Sequence, residues 1–394
     1  MTVMEVSLAV LSLLVWIGLL GWRGQFWQTD QQLRIVPATN EKLPSVCAVI
    51  PARNEADLLP ITLGSLLKQD YPGFFTIFLV DDGSTDKTAE IAKQTAESMQ
   101  KENLLHIITA KPLPAGWTGK LWAIEQGLQK AVETLQANFL PEPDYFLLTD
   151  ADIAHDPTNL RCLVAKARQE DLDLVSVMVR LRCESFWEKF LIPAFVFFFQ
   201  KLYPFRWVNN PNKSTAAAAG GCILIRKEAL RRIGGIQVIK QALIDDCALA
   251  RAVKSSGSGR IWLGLSSLAC SLRPYFSLAK IWDMVARSAF TQLNYSPLLL
   301  AATVAGMTLV YIIPIVSLIL GGLTGNWLLV TTGLTTWLLM SLAYLPTIRF
   351  YQCSVWLTAC LPVIAFMYTL MTLDSAVRHW QGRGGAWKGR VYQV

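Results

Sequence analysis

Two short acidic signatures, each placed directly after an apolar run of strand type, constrain this chain most. The first is Phe78-Leu79-Val80-Asp81-Asp82-Gly83-Ser84-Thr85-Asp86. The second is Tyr145-Phe146-Leu147-Leu148-Thr149-Asp150-Ala151-Asp152. Open α/β sheets bind ligands in the crevice outside the carboxyl ends of their strands, so acids at those ends point to a site. An Asp-x-Asp there is suited to holding a hard divalent cation, Mg2+ or Mn2+, against a diphosphate. The chemistry implied is transfer of a group carried on a nucleotide diphosphate.

Around these signatures strands alternate with helices. Residues 46–50 are continuously apolar, as in a strand covered on both faces, and Pro51 stops the run. Residues 58–67 repeat apolar side chains at helical spacing. Residues 76–80 read as the second strand, and Ser84 or Thr85 as the cap of a helix running through Ile91. Strands follow at 104–109, 145–149 and 172–180. A helix is expected over 117–135, and Pro157 reads as opening another. This alternation predicts an α/β domain with a mostly parallel sheet between helices.

The remainder is too apolar for a soluble chain. Of the 394 residues 53% are hydrophobic and 16% charged, whereas soluble domains are about 25% charged. Residues 6–22 form a nearly uncharged run, and 297–323, 327–344 and 354–373 form three more. Each is long enough for a bilayer core of about 30 Å. Glu5 before the first run and Trp22-Arg23-Gly24 after it favour an uncleaved anchor over a signal peptide. The expected organisation is an anchor over 1–24, a catalytic domain over 45–275, a membrane-proximal segment over 276–296, transmembrane helices over 297–373 and a basic tail over 374–394. The aromatic run 186–205 reads either as a helix lying in the membrane interface or as a buried core helix.

Charge placement adds a topology. Arg23, Arg34 and Lys42 follow the first run and place the middle domain in the cytoplasm of a multi-pass cell-membrane protein. Three crossings after that domain would leave Arg378, Arg383, Lys388 and Arg390 outside, against the rule. Either one C-terminal segment does not cross, or the tail breaks the trend. The net charge of +7 is not arranged as a basic stripe with interleaved aromatics, which argues against nucleic acid as a partner. The eight cysteines show no Cys-x-x-Cys pair and read as reduced thiols.

The order of motifs is more specific than any one of them. Pro51-Ala52-Arg53-Asn54-Glu55 follows strand one, and Asp81-Asp82-Gly83-Ser84 follows strand two. Lys120 stands in Gly116-Trp117-Thr118-Gly119-Lys120, Asp150-Ala151-Asp152 follows strand four, and Gly220-Gly221 and Asp245-Asp246 come later. In this order the chain resembles the family 2 glycosyltransferases, which have the GT-A fold, over residues 45–289. More narrowly, 116–122, 216–221, 245–250 and the Trp387-Lys388-Gly389-Arg390 tail resemble the hopene-associated glycosyltransferases of hopanoid biosynthesis.

The resemblance implies a nucleotide-sugar site. Asp81 or Asp82 would accept hydrogen bonds from a uracil imide or a ribose, opposite a wall of Pro51, Ala52, Arg53 and Glu55. Asp150 and Asp152 would meet the ribose and a Mg2+ or Mn2+ ion on the diphosphate. Lys120 and Arg287 would contact the donor, and Gly220 and Gly221 would let the backbone approach its sugar. Asp246 matches the second acid of the family's Asp-Asp pair and would be the base, with Asp245 setting its surroundings. The Gln/Arg-x-x-Arg-Trp motif that accompanies processive polymer synthesis is absent; residues 281–292 stand in its place. The expected function is transfer of one sugar, most simply from a UDP-sugar, to a lipid hydroxyl at the membrane. Polyprenyl-phosphate glycosylation, or a non-catalytic scaffold keeping a nucleotide-sugar fold, are the alternatives.

Overall fold

A computed structural model describes residues 3–37, 42–257, 259–383, 386–387 and 390–391. Lys388 and Gly389 of the tail motif lie outside the described residues. The chain begins with α1 (Val3–Trp22) and then alternates β1 (Val46–Ala52), α2 (Leu59–Leu67), β2 (Phe75–Asp81), α3 (Thr88–Ser98), β3 (Leu105–Thr109), α4 (Gly119–Ala137) and β4 (Tyr145–Thr149). A short β5 (Ile153–His155), α5 (Asn159–Gln169) and β6 (Leu174–Arg180) follow. Next come α6 (Phe186–Leu202), α7 (Phe205–Val208), β7 (Cys222–Arg226), α8 (Lys227–Arg232), α9 (Asp245–Ser255) and β8 (Ile261–Ser271).

These strands form one eight-stranded sheet in the order β3-β2-β1-β4-β7-β6-β8-β5. β1, β2, β3 and β4 are parallel, and β6 is parallel to β8. β7 runs antiparallel between β4 and β6, and β5 antiparallel to β8. The uninterrupted apolar run of β1 has the two-sided burial that such a run calls for. Cys47 and Val49 face one core with α4, while Ala48 and Ile50 face the other with α2.

Two local expectations are corrected. Ser84 and Thr85 do not cap α3, because the turn before it uses them differently. The Ser84 backbone N–H donates to Asp81 Oδ1 at 3.0 Å, and the Thr85 N–H donates to Asn54 Oδ1 at 2.8 Å. Helix α3 starts at Thr88, whose N–H donates to Asp86 Oδ1 at 3.1 Å. Pro157 likewise precedes α5 by two residues, and Asp156 Oδ1 takes the Thr158 N–H at 2.9 Å.

After the sheet come α10 (Leu278–Ala286), α11 (Ala289–Gln292), α12 (Pro297–Met307), α13 (Ile313–Thr324), α14 (Trp327–Phe350) and α15 (Leu361–Trp380). A π-helical turn, Thr308–Ile312, joins α12 to α13, and a 3-10 turn, Val355–Cys360, precedes α15. Among the described residues, four helical stretches are long and apolar enough to cross a membrane: Val3–Trp22, Pro297–Thr324, Trp327–Phe350 and Val355–Trp380. Their outer faces carry exposed Leu11, Leu14, Ile319, Leu338 and Leu342, a pattern suited to lipid and costly in water. Helix α6 is buried along one face, where Leu191, Ile192, Ala194, Val196 and Phe197 are wholly buried, while Phe186 and Leu202 near its ends are exposed. Phe197 packs on Tyr344 of α14, and Phe198 on Tyr311 and Tyr368. The core of the sheet thus runs continuously into the apolar helices.

The α13–α14 contact depends on Gly333. A Cβ there would lie 2.5 Å from Pro314 O and 2.8 Å from Leu318 N, both backbone atoms. Close backbone approach at small residues is how helices pack in membranes. Gly333→Val should destabilise the fold by about 1–3 kcal/mol, the usual cost of overpacking. It would be read as a lower thermal unfolding midpoint in detergent.

Candidate active site

The parallel arrangement brings the carboxyl ends of β1, β2 and β4 to one edge, because Ala52 pairs with Asp81 and Val49 with Leu148. A cleft opens there, lined by Pro51, Lys120, Asp150, Gly220, Asp245 and Asp246 over apolar side chains that include Ile124, Ile223 and Leu249. Of the residues expected from sequence, these six share one cavity.

Lys120, in the first turn of α4, holds them together. Its Nζ lies 3.0 Å from Asp150 Oδ1 and 3.2 Å from Asp245 Oδ2. Burial works against its charge, but Asp150 and Asp245 outweigh burial and hold the ammonium protonated well above the usual lysine range. Asp150 is pushed up by its enclosure, with Asp152 and Asp245 adding to the effect and Lys120 opposing it.

Asp246 opens α9. Its Oδ2 accepts from the Gly220 N–H at 2.9 Å and its Oδ1 from the Cys247 N–H at 2.7 Å. Burial, with the neighbouring Asp245 charge, raises its pKa to about 6. A Cβ on Gly220 would meet Lys120 Nζ at 3.3 Å and Asp246 Oδ2 at 3.4 Å, so glycine leaves this approach open. Gly221 has a packing reason: a Cβ there would come within 3.0 Å of Val179.

The other expected residues lie beside the cleft. Asp152 is buried and accepts from Arg273 Nε at 2.9 Å and from Ser271 Oγ at 3.1 Å. Arg273 also donates to Glu55 Oε1 at 2.7 Å, so Glu55 faces a guanidinium. The two acids of the Asp-x-Asp therefore meet different cations, Lys120 and Arg273. Asp82 is buried next to Arg53, with Nη1 3.7 Å from Asp82 Oδ2, and Arg53 also donates to the Asp82 carbonyl. Ala52 is buried at the end of β1, and Asp81 is engaged by Ser84. Arg287 is exposed at the C-terminal end of α10 and is not among the residues lining the cleft. His155 is a packed histidine. Its Nε2 lies 3.0 Å from Thr149 Oγ1 and Asn159 donates to its Nδ1 at 2.9 Å. Burial lowers its pKa to about 4. Arg273 was not legible as a partner of Asp152, because no short motif links the end of β8 to the end of β4.

Carboxylate oxygens are the donors that hard divalent cations take, and Asp150 and Asp152 supply them. Among the described residues no group of three or more His, Cys, Asp or Glu forms a complete ligand set. An ion here would be completed by donor phosphates and water, as Mg2+ sites commonly are.

Replacing Lys120 by Met should destabilise the protein by about 1–3 kcal/mol, the cost of leaving charged partners in a half-buried cluster without their donor. Lys120→Arg, which keeps the charge, should lose less. Unfolding midpoints of the two variants in detergent provide the check.

The chain is similar to known proteins in sequence and in fold. Residues 47–234 match the model of the family described as Glycosyl transferase family 2. An undecaprenyl-phosphate 4-deoxy-4-formamido-L-arabinose transferase of Proteus mirabilis is 29% identical over 154 residues, covering 39% of this chain and 42% of the relative. An undecaprenyl-phosphate mannosyltransferase of Micrococcus luteus is 31% identical over 128 residues, covering 32% and 46%. The chain thus spans less than half the length of these relatives. Among solved structures, the mannosyltransferase PcManGT of Pyrobaculum calidifontis, in complex with GDP-Man and Mn2+, superposes with a TM-score of 0.55 at 17% identity. That match covers 95% of this chain and 99% of the other. At that identity the match shows the fold, which is GT-A.

Proposed function

We propose that this chain, which carries a glycosyl transferase family 2 domain, is a membrane-bound inverting glycosyltransferase moving one sugar from a nucleotide diphosphate sugar to a lipid hydroxyl. The observation that supports this best is Asp246. It is a cleft-lining carboxylate with a pKa of about 6, fixed by two backbone N–H groups. A base poised near the working pH suits an alcohol, which must lose its proton as it attacks.

In this reading the acceptor hydroxyl gives its proton to Asp246 while its oxygen bonds to the anomeric carbon. The bond from that carbon to the diphosphate breaks, and the electron pair leaves with the nucleoside diphosphate. Lys120 faces the developing negative charge, and Asp245 tunes Asp246. Asp81, Asp82, Arg53, Glu55, Ala52 and Pro51 form the nucleoside end, with uridine the simplest base. Arg287 stands at the membrane-proximal rim. Asp150 and Asp152 would hold Mg2+ or Mn2+, which offsets charge on the leaving diphosphate. The domain faces the cytoplasm, as Arg23, Arg34 and Lys42 suggest. A polycyclic triterpenoid is one acceptor to test.

A second reading has its own support. The curated relatives are named for transfer to undecaprenyl phosphate. A lipid phosphate is already ionised and needs no base, so one variant separates the two. Transfer from nucleotide sugars to a membrane lipid extract, followed by mass spectrometry of the product, identifies the acceptor class. With a hydroxyl acceptor, Asp246→Asn should lower kcat/KM by about 10²–10⁴-fold, the usual contribution of a general base; full activity would remove Asp246 from that role. With a phosphate acceptor the loss should be small.

The sign of the pH dependence follows from the raised pKa. A base must be deprotonated, so log kcat/KM should rise with unit slope below about pH 6 and level off above it. Metal involvement has a readout apart from turnover. Mn2+ binding, followed by electron paramagnetic resonance, should be weak alone and tighten when a nucleoside diphosphate is added. Asp152→Asn should remove that gain.

A further inference from the structure

By length and composition Val355–Trp380 is one of four helices among the described residues able to cross a bilayer, yet the chain touches the side that holds the cleft both just before this stretch and at its end. Helix α1 ends on that side, where Arg23 Nε donates to Lys201 O at 3.2 Å. Helix α14 returns to it: Arg180 Nη2 donates to Tyr351 O at 3.2 Å, and Cys353 Sγ lies 3.6 Å from Cys183 Sγ. The chain then doubles back along α14, where Trp337 Nε1 donates to Ala359 O at 3.0 Å. From there α15 descends beside α12. Tyr368 donates to Leu191 O of α6 at 2.9 Å, and Ala376 packs with Leu300 and Phe290. Ser375 Oγ accepts from the Phe290 N–H at 3.0 Å, and His379 stacks on Tyr295 at 4.4 Å. The last turn is bound to α10, which follows directly from the sheet. Trp282 Nε1 donates to Asp374 Oδ2 at 2.7 Å, and Arg378 Nη1 to Asp283 Oδ1 at 2.8 Å.

A crossing helix would carry residue 380 towards the Gly325 turn between α13 and α14. These contacts carry it instead to the beginning of α12. The outward face of α15 is an apolar stripe of Val363, Phe366, Leu370, Leu373, Val377 and Trp380, all exposed and recurring every three or four residues. That stripe continues the exposed apolar surface of α12 at Leu298. It fits hydrocarbon, while Asp374 and Arg378 sit where an ion pair can reach the headgroup region rather than the bilayer centre, where charge is costly.

We propose that α15 is a re-entrant element: it lies in the leaflet nearest the cleft with this stripe against acyl chains, and it returns without crossing. The chain then crosses three times, and the residues after Trp380 emerge on the same side as the cleft. Arg378 and Arg383 accordingly fall with Arg23, Arg34 and Lys42, and the charge conflict raised by the sequence disappears.

The test uses full-length protein in sealed membrane vesicles of one orientation. Epitopes are placed in three chains: beside Phe139, an exposed loop residue of the sheet domain, between Gly325 and Asn326, and after Val394. Antibody and protease should reach the first and third from one side and the second from the other. An epitope after Val394 that shares the side of the Gly325 epitope overturns the proposal, as do three epitopes on one side. A photo-crosslinking residue in place of Phe366 should capture lipid. A cross-linked second copy or another protein would overturn the lipid assignment. Neither readout involves sugar transfer, so failure here and failure of the transferase reading are distinguishable.

Discussion

The site depends on one ammonium group among three carboxylates. Lys120 stands in the first turn of α4, where a positive charge opposes the helix dipole. Its position is therefore unfavourable for the helix and is explained by what it faces. Asp150 comes from the end of β4, and Asp245 and Asp246 from the beginning of α9, where the dipole favours negative charge. Without a cation between them, acids from two elements converging on a partly buried cleft would repel one another or take up protons. Lys120 keeps Asp150 and Asp245 in place, while burial first and the Asp245 charge second raise the affinity of Asp246 for a proton, with Lys120 opposing them.

A second ion cluster joins this cleft to the apolar helices. Glu188 is wholly buried in the first turn of α6. It accepts from Arg182 Nη1 at 2.8 Å, from the Ser185 N–H at 2.8 Å and from the Tyr275 N–H at 2.7 Å. Burial disfavours its charge, and these donors overcome burial and hold the carboxyl below its ordinary range. The capping box of α6 thus also fixes Tyr275, two residues beyond the Arg273 that binds Asp152 and Glu55. Movement of α6 against the sheet would strain the Asp152 side of the site directly.

Much of this was legible in the sequence, for physical reasons that can be named. Strands β1, β2 and β4 are buried on both faces, so their apolar runs are continuous, and those of β2 and β4 end where their acids begin. Asp150, Asp245, Asp246, Lys120, Gly220 and Pro51 do share a cleft. Strand β8 was not legible, because Gly264, Ser266 and Ser267 interrupt its apolar run. Gly264 is there because the Trp262 ring fills the space a Cβ would need. The cap of α3 was misassigned because Asp81 and Asn54 compete for the Ser84 and Thr85 groups. Arg273 could not be paired with Asp152 from sequence, since that contact joins residues brought together only by the sheet. The composition of α15 suggests a crossing helix, whereas its two ends make contacts that composition cannot express.

In the proposed reading, the stretch from Arg273 to Arg287 meets a demand that transfer to a lipid imposes. The reacting group must reach the acids while the lipid's apolar part stays in hydrocarbon. At one end of the stretch Arg273 touches Asp152. In its middle, the Tyr275 phenol is raised chiefly by burial, opposed by the charges of Arg273 and Arg287 and reinforced by those of Asp152 and Asp150. At its other end α10 is bound through Trp282 and Asp283 to Asp374 and Arg378 of α15. Fifteen residues of chain therefore connect the carboxylates to a helix whose exposed face is apolar, with an exposed arginine at the far end of the path. A lipid lying along α15 would need no displacement through water to bring its polar end to that arginine and on towards the cleft.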